Sequence, residues 1–215
     1  MHRKPWALPI FDFTLSLHGP VTLVVMQQAM NKTTTKRMFK AIQDRDAATL
    51  AGILDEHADA IETFGEHNRN VRDKTPLMFA MQCSDLELAH SLLDRGANAA
   101  AEMAGGPCLS ALALCAEFAY CDAAQHDDWI KLATRILDQG ADPTSGLWPA
   151  LHGFGGVVDR ADLIRLMLDR GADPDQQLGN TGSTIRELVE INRQLYSGEV
   201  LALFGLTDSA HHTEK

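Results

Sequence analysis

Three segments of this chain end alike, and that repetition limits its fold more than any other feature. They are Leu92-Leu93-Asp94-Arg95-Gly96-Ala97-Asn98, Ile136-Leu137-Asp138-Gln139-Gly140-Ala141-Asp142-Pro143 and Met167-Leu168-Asp169-Arg170-Gly171-Ala172-Asp173-Pro174. Each places two apolar residues, an aspartate and one polar residue before Gly-Ala-Asn/Asp. Glycine at that point takes the left-handed conformation that ends a helix and lets the chain leave sideways. Three helices ending this way imply repeated units. Each unit is too small to bury its apolar face alone, so the units must stack.

Upstream of the first copy stands Thr75-Pro76-Leu77-Met78-Phe79-Ala80. Threonine suits a helix N-cap, and proline suits the first turn, where its missing N–H costs nothing. Leu77 and Ala80 then fall on one face. This segment resembles the T-P-L-H-x-A opening of an ankyrin repeat, and with the three helix ends it extends the likeness over about four-fifths of the chain. The resemblance implies an all-α solenoid of antiparallel helix pairs joined by projecting loops. It also implies a protein-binding role without catalysis. Leu77, Ala80, Leu88, Leu92, Leu93, Leu112, Ile136, Leu137, Leu163, Leu166 and Leu168 are expected to form the apolar faces.

The other units depart from the pattern. Ser110-Ala111-Leu112-Ala113-Leu114-Cys115-Ala116 stands in the second unit, which is nine residues longer than the first. That surplus is expected between its two helices, near Tyr120 to Asp128. In the third, Pro149-Ala150-Leu151-His152 replaces T-P-L-H, followed by Gly153, Gly155 and Gly156. Arg37 to Leu54 forms a helix pair without the motif, and Thr184-Ile185-Arg186-Glu187 is a capping box. Both fit the atypical ends of a solenoid. The expectation is about five helix pairs: three full repeats and two caps, over residues 33–206, with a frayed tail at 207–215.

Residues 1–32 have a different texture. Phe11, Phe13, Leu15 and Leu17 alternate with polar residues, Gly19-Pro20 interrupts, and Val21 to Met26 is apolar again. A β-hairpin and a disordered extension both remain open, and Met26 or Met30 is an alternative start. Asp12, Thr14, Ser16, His18 and Pro20 break up any signal-peptide core.

A formal charge of −10 disfavours nucleic acid and anionic membrane, which reward basic surfaces. The first thirty residues carry Arg3, Lys4 and Asp12, so the acidity belongs to the rest, and a basic partner surface would suit it. No run approaches the ~20 apolar residues of a membrane span. Cys83, Cys108, Cys115 and Cys121 lack metal-site spacing and read as small thiols of a reducing, cytoplasmic compartment. No cofactor or metal is expected.

Few residues suggest catalysis. His152 reads as a backbone hydrogen-bonding histidine, and His126 with Asp127 and Asp128 as a solvated helix start, either aspartate suiting an N-cap ahead of Trp129. Gly153-Phe154-Gly155-Gly156 lacks a phosphate-loop lysine.

Binding residues follow from the resemblance, which places partners at loop tips and on the exposed side of each first helix. The first repeat's tip holds Arg69, Asn70, Arg72, Asp73 and Lys74, and its helix face Met81 and Gln82. The second repeat offers Glu117, Phe118 and Tyr120, and the third Trp148, in the loop before its helix. Phe118, Tyr120 and Trp148 are the expected aromatic anchors, rimmed by Glu117, Asp122, Asp127 and Asp128. The leading functional expectation is a module for one dedicated protein partner, sharpened to an immunity or inhibitor protein. A multi-partner adaptor and an enzyme are the alternatives.

Overall fold

The computed structural model describes residues 31–103, 110–152, 160–178 and 182–206, and the N-terminal extension and the tail expected from the sequence lie outside them. Among the described residues there are ten α-helices and no strand. They are α1 (Lys32–Gln43), α2 (Ala47–Glu56), α3 (Pro76–Gln82), α4 (Leu86–Asp94), α5 (Ala111–Cys121), α6 (His126–Asp138), α7 (Thr144–His152), α8 (Ala161–Asp169), α9 (Ile185–Ile191) and α10 (Gly198–Leu203). Each of α1, α3, α5 and α7 packs on the helix that follows it. Those first helices also stack in a row, α1 on α3, α3 on α5 and α5 on α7, while α4 meets α6 and α8 meets α10. The result is two layers of helices with a continuous apolar seam between them.

The helix ends obey local chemistry. Asp85 and Ser110 cap α4 and α5 by accepting hydrogen bonds from Leu88 N–H at 3.0 Å and Ala113 N–H at 3.0 Å. Thr184 and Glu187 complete a reciprocal capping box on α9. At the other end, Gly96, Gly140 and Gly171 have φ of 88°, 94° and 90°. In each case the glycine N–H and the next alanine N–H bond back to the last turn, as Gly96 does to Leu93 O and Ala97 to Leu92 O. This two-bond lock satisfies carbonyls that would otherwise be orphaned.

The turn inside the first two pairs uses the same lock without glycine. Arg45 and Ser84 take φ of 58° and 51°, a strain of about 1 kcal/mol or more each. Asp46 and Asp85 then serve twice: their N–H groups close the lock on Ala41 O and Ala80 O, and their carboxylates cap the next helix. The third pair does not use this turn. Its nine extra residues are not a loop. They lengthen both helices and add a single 3-10 turn, Ala123–Gln125.

The third unit corrects the expected register. Pro149 lies inside α7, not at its start. The structural equivalents of Thr75-Pro76-Leu77 and Ser110-Ala111-Leu112 are Ser145-Gly146-Leu147. Leu77, Leu112 and Leu147 are all fully buried, and the Ser110 and Ser145 hydroxyls are 2.8 Å apart. Gly146 is needed there, since a Cβ would lie 2.8 Å from Leu112 Cγ. Trp148 is therefore a helix residue, half-buried against the core.

The core matches expectation except in α8, where Leu163, Ile164 and Met167 are buried and Leu166 and Leu168 only half so. We expect Leu92→Ala to cost about 2–5 kcal/mol, the range for emptying a buried leucine site. Leu166→Ala should cost clearly less than Leu92→Ala or Met167→Ala. Urea denaturation of the three variants checks this order, and equal losses at Leu166 and Met167 would refute the assignment of the α8 face.

An ion-pair ladder follows one edge of the stack. Arg95 reaches Asp55 at 2.7 Å, Arg135 pairs with Asp94, and Arg170 reaches Asp138 at 2.6 Å. Each pair joins the end of one second helix to the next unit. Being largely solvated, each contributes only ~0–1 kcal/mol.

Candidate functional site

The clearest recess among the described residues lies between α1, α3 and the loop of residues 63–74. Asn68 shapes that loop, its side chain accepting from Asn70 and Val71 N–H at 2.9 and 3.2 Å. Its ends are tied by Gly65 N–H to Lys74 O and by Asp73 N–H to Gly65 O, both at 3.0 Å. Gly65 must be glycine, because a Cβ would stand 2.3 Å from Val71 O.

Two hollows, of about 460 and 420 Å³, lie along α1 and share Lys36 and His67 in their linings, a surface referred to below as the trough. Its exposed apolar surface is Phe64, and the rings of Phe39 and Phe79 belong to the buried core behind it. Phe39 meets Phe79 edge-on at 5.5 Å and His67 at 5.8 Å, while Phe64 is 42% exposed at the outer end. Lys32, Lys36 and Lys40, one turn apart on α1, face the trough. Its lining holds a single carboxylate, Glu66. This surface is thus locally basic although the whole chain is acidic, so overall charge does not describe it.

The residues singled out from sequence are scattered with respect to this recess. Asn70 and Gln82 line it. Arg72 is exposed on the same loop, and Lys74 is turned inward, its Nζ donating to Asn70 O at 3.0 Å. Burial lowers the Lys74 pKa. Met81, expected on an exposed helix face, is fully buried: α3 is short and pressed between α1 and α5, so most of its circumference is core.

Phe118 is half-buried, its ring 5.8 Å from the buried Trp129, so packing accounts for its apolar character. Tyr120 lies on α5, but its side chain is outside the described residues, as is that of His152. The expected acidic rim does not form either. Asp122 binds Gln125, and Asp128 binds Lys131 at 2.7 Å on α6, in the second-helix layer. Asp127 and Asp128 occupy the first turn of α6, where the helix dipole favours them, and neither is its N-cap.

Glu117 is distinctive. It is half-buried on α5, and burial pushes its carboxyl up to about 7. Between about pH 4.5 and 7 the folded chain therefore binds more protons here than the unfolded chain. Stability contributed at this site falls as pH rises through that window. We expect Glu117→Gln to raise the melting temperature relative to the parent at pH 8 and to make little difference at pH 4. Thermal melts at both values test this, and an equal shift at both pH values would refute it.

Chemistry elsewhere is structural. His126 Nε2 is 2.5 Å from Asp162 Oδ2, joining α6 to α8, and its Nδ1 is 3.4 Å from Ala119 O. Burial acts to raise the Asp162 carboxyl, but the hydrogen bonds from His126 and Leu163 N–H outweigh it and hold the carboxyl below its ordinary value. Burial raises the Cys115 thiol strongly, leaving it inert, and raises the half-buried Cys83 as well. Among the described residues no group of three His, Cys, Asp or Glu side chains could hold a metal ion, and no helix is long and apolar enough to cross a membrane.

Stacked helix pairs with a loop-walled recess beside the first-helix row define a helical solenoid. The ankyrin repeat family model matches residues 72–102, which run from the trough's loop through α3 and α4. Residues 72–102 thus match an ankyrin repeat, and such repeats generally serve as protein-interaction modules. No curated protein matches it.

Proposed function

We propose that this chain is a binding module for one dedicated protein, built of five helix pairs of which the first and last act as caps. The trough between α1, α3 and the 63–74 loop is the recognition surface, and it is the observation that carries this reading. Its loop is held rigid by the Gly65–Lys74 and Asp73–Gly65 bonds and its exposed apolar surface is Phe64. A preorganised, partly apolar recess loses little entropy on binding. Arg72 and Gln82 belong to this surface, whereas Phe118 and Trp148 contribute mainly to packing. The sharper form is an inhibitor that neutralises an enzyme or toxin. It requires the partner to lose activity on binding.

Affinity capture on the full-length chain, with mass spectrometry, tests the reading. One protein retained near equal stoichiometry is the expected result. Many partners of similar abundance would favour an adaptor, and no protein above control would overturn the proposal.

A further inference from the structure

From the chemistry of the trough we infer that its occupant is an acidic, extended segment of the partner protein carrying an aromatic or aliphatic side chain among carboxylates. This rests on the protein-binding reading above and adds the kind of segment recognised.

Lys32, Lys36 and Lys40 recur every four residues, so helix geometry puts their ammonium groups on one line along α1. Lys40 is partly neutralised by Asp44 one turn on. Among the described residues no ion pair engages Lys32 or Lys36. Two uncommitted ammonium groups beside one glutamate, Glu66, on a chain of net −10, are a local reversal of charge. Beside them Phe64, 42% exposed, gives a partner's apolar side chain something to bury against. At the inner end Gln82 lines the same trough, and its side-chain oxygen has no hydrogen-bond partner among the described residues.

Other occupants fit worse. Residues 1–30 precede α1 in the sequence, but they carry Arg3, Lys4 and Asp12, a net charge of the same sign as the lysines. A nucleic acid would meet three lysines embedded in an otherwise acidic molecule, whereas phosphate-backbone binding draws on a broad basic surface.

The test uses fluorescence anisotropy on the full chain. The probes are labelled decapeptides of glutamates around a single phenylalanine or leucine, the same set with lysine for glutamate, and a single-stranded RNA decamer. The acidic set should bind at least tenfold more tightly than the lysine set. The double variant Lys32→Glu, Lys36→Glu should abolish that preference, and Phe64→Ala should weaken binding several-fold, with circular dichroism unchanged. Charge reversal at exposed helix positions leaves the core intact, so loss of binding would not reflect unfolding. Equal binding of both peptide sets, tighter binding of the RNA, or full binding by the double variant would overturn the inference. A captured partner that the double variant still retains would overturn it too, while leaving the protein-binding function standing.

Discussion

Replacing Trp129 by alanine is expected to remove about 3–5 kcal/mol of stability, the range for truncating a large buried aromatic. Trp129 is fully buried in the seam between α5 and α6, with Phe118 against its ring and Cys115 Sγ 3.6 Å from its carbonyl. In a linear stack each unit is stabilised chiefly by its neighbours, so the damage should spread to α3–α4 and α7–α8 through shared interfaces. Trp129→Phe provides a control. The indole N–H is buried without a partner among the described residues, and such a donor costs about 1–3 kcal/mol. Phenylalanine removes that penalty while keeping most of the apolar surface, so it should lose far less than alanine. Urea denaturation followed by circular dichroism measures both. An alanine variant as stable as the parent would refute the account of this core.

The second large effect is expected at Gly65. A methyl group there would press on the carbonyl of Val71, a backbone atom that cannot swing aside. The loop would have to open, losing the bonds that tie Gly65 to Lys74 and Asp73. Overpacking usually costs about 1–3 kcal/mol, and a backbone clash falls at the upper end. Gly65→Ala should therefore lower stability measurably and expose the amides of residues 65–74 to hydrogen exchange. Because this loop walls the trough, partner capture should fall at least tenfold even where the helices remain folded. Unchanged exchange in that loop would show that it accommodates the methyl group and that the clash is relieved elsewhere.

The fold was readable because its signals are local. The glycines after α4, α6 and α8 and the capping residues Thr75, Ser110 and Thr184 act within one turn of the chain, and their meaning survives without tertiary context. Register in the third unit was harder. Pro149-Ala150-Leu151-His152 shares the Leu-His of the family opening and carries a proline close by. The true equivalent, Ser145-Gly146-Leu147, is recognisable only once Leu112 and Met167 are seen to crowd Gly146. The faces of α8 failed for a similar reason: which side of a short, apolar-rich helix is buried depends on what packs against it.

The proposed recognition surface was the least legible part. Attention to aromatic residues near irregular spacing led to Phe118, which packing explains. The lysines of α1 carry a signal in their spacing, one turn apart from Lys32 to Lys40, but it points to a surface only when the 63–74 loop is seen to close over them. Met81 shows the converse. A position that faces solvent in a longer helix is core in one only seven residues long.

The ladder of arginine–aspartate pairs bears on how such a chain can grow. The α4 unit turns Arg95 back toward Asp55 and offers Asp94 forward to Arg135; the α6 unit turns Arg135 back and offers Asp138 forward to Arg170. Each junction thus sets an arginine against an aspartate in the last turn of the second helix of the unit before, although Arg135 stands inside α6 whereas Arg95 and Arg170 follow their helices. A duplicated unit would keep arginine opposite aspartate, a gain of only ~0–1 kcal/mol per junction, while the fit of the first-helix row would still have to be met. The ladder therefore permits a change of array length without specifying one, and none of its residues lines the trough beside α1.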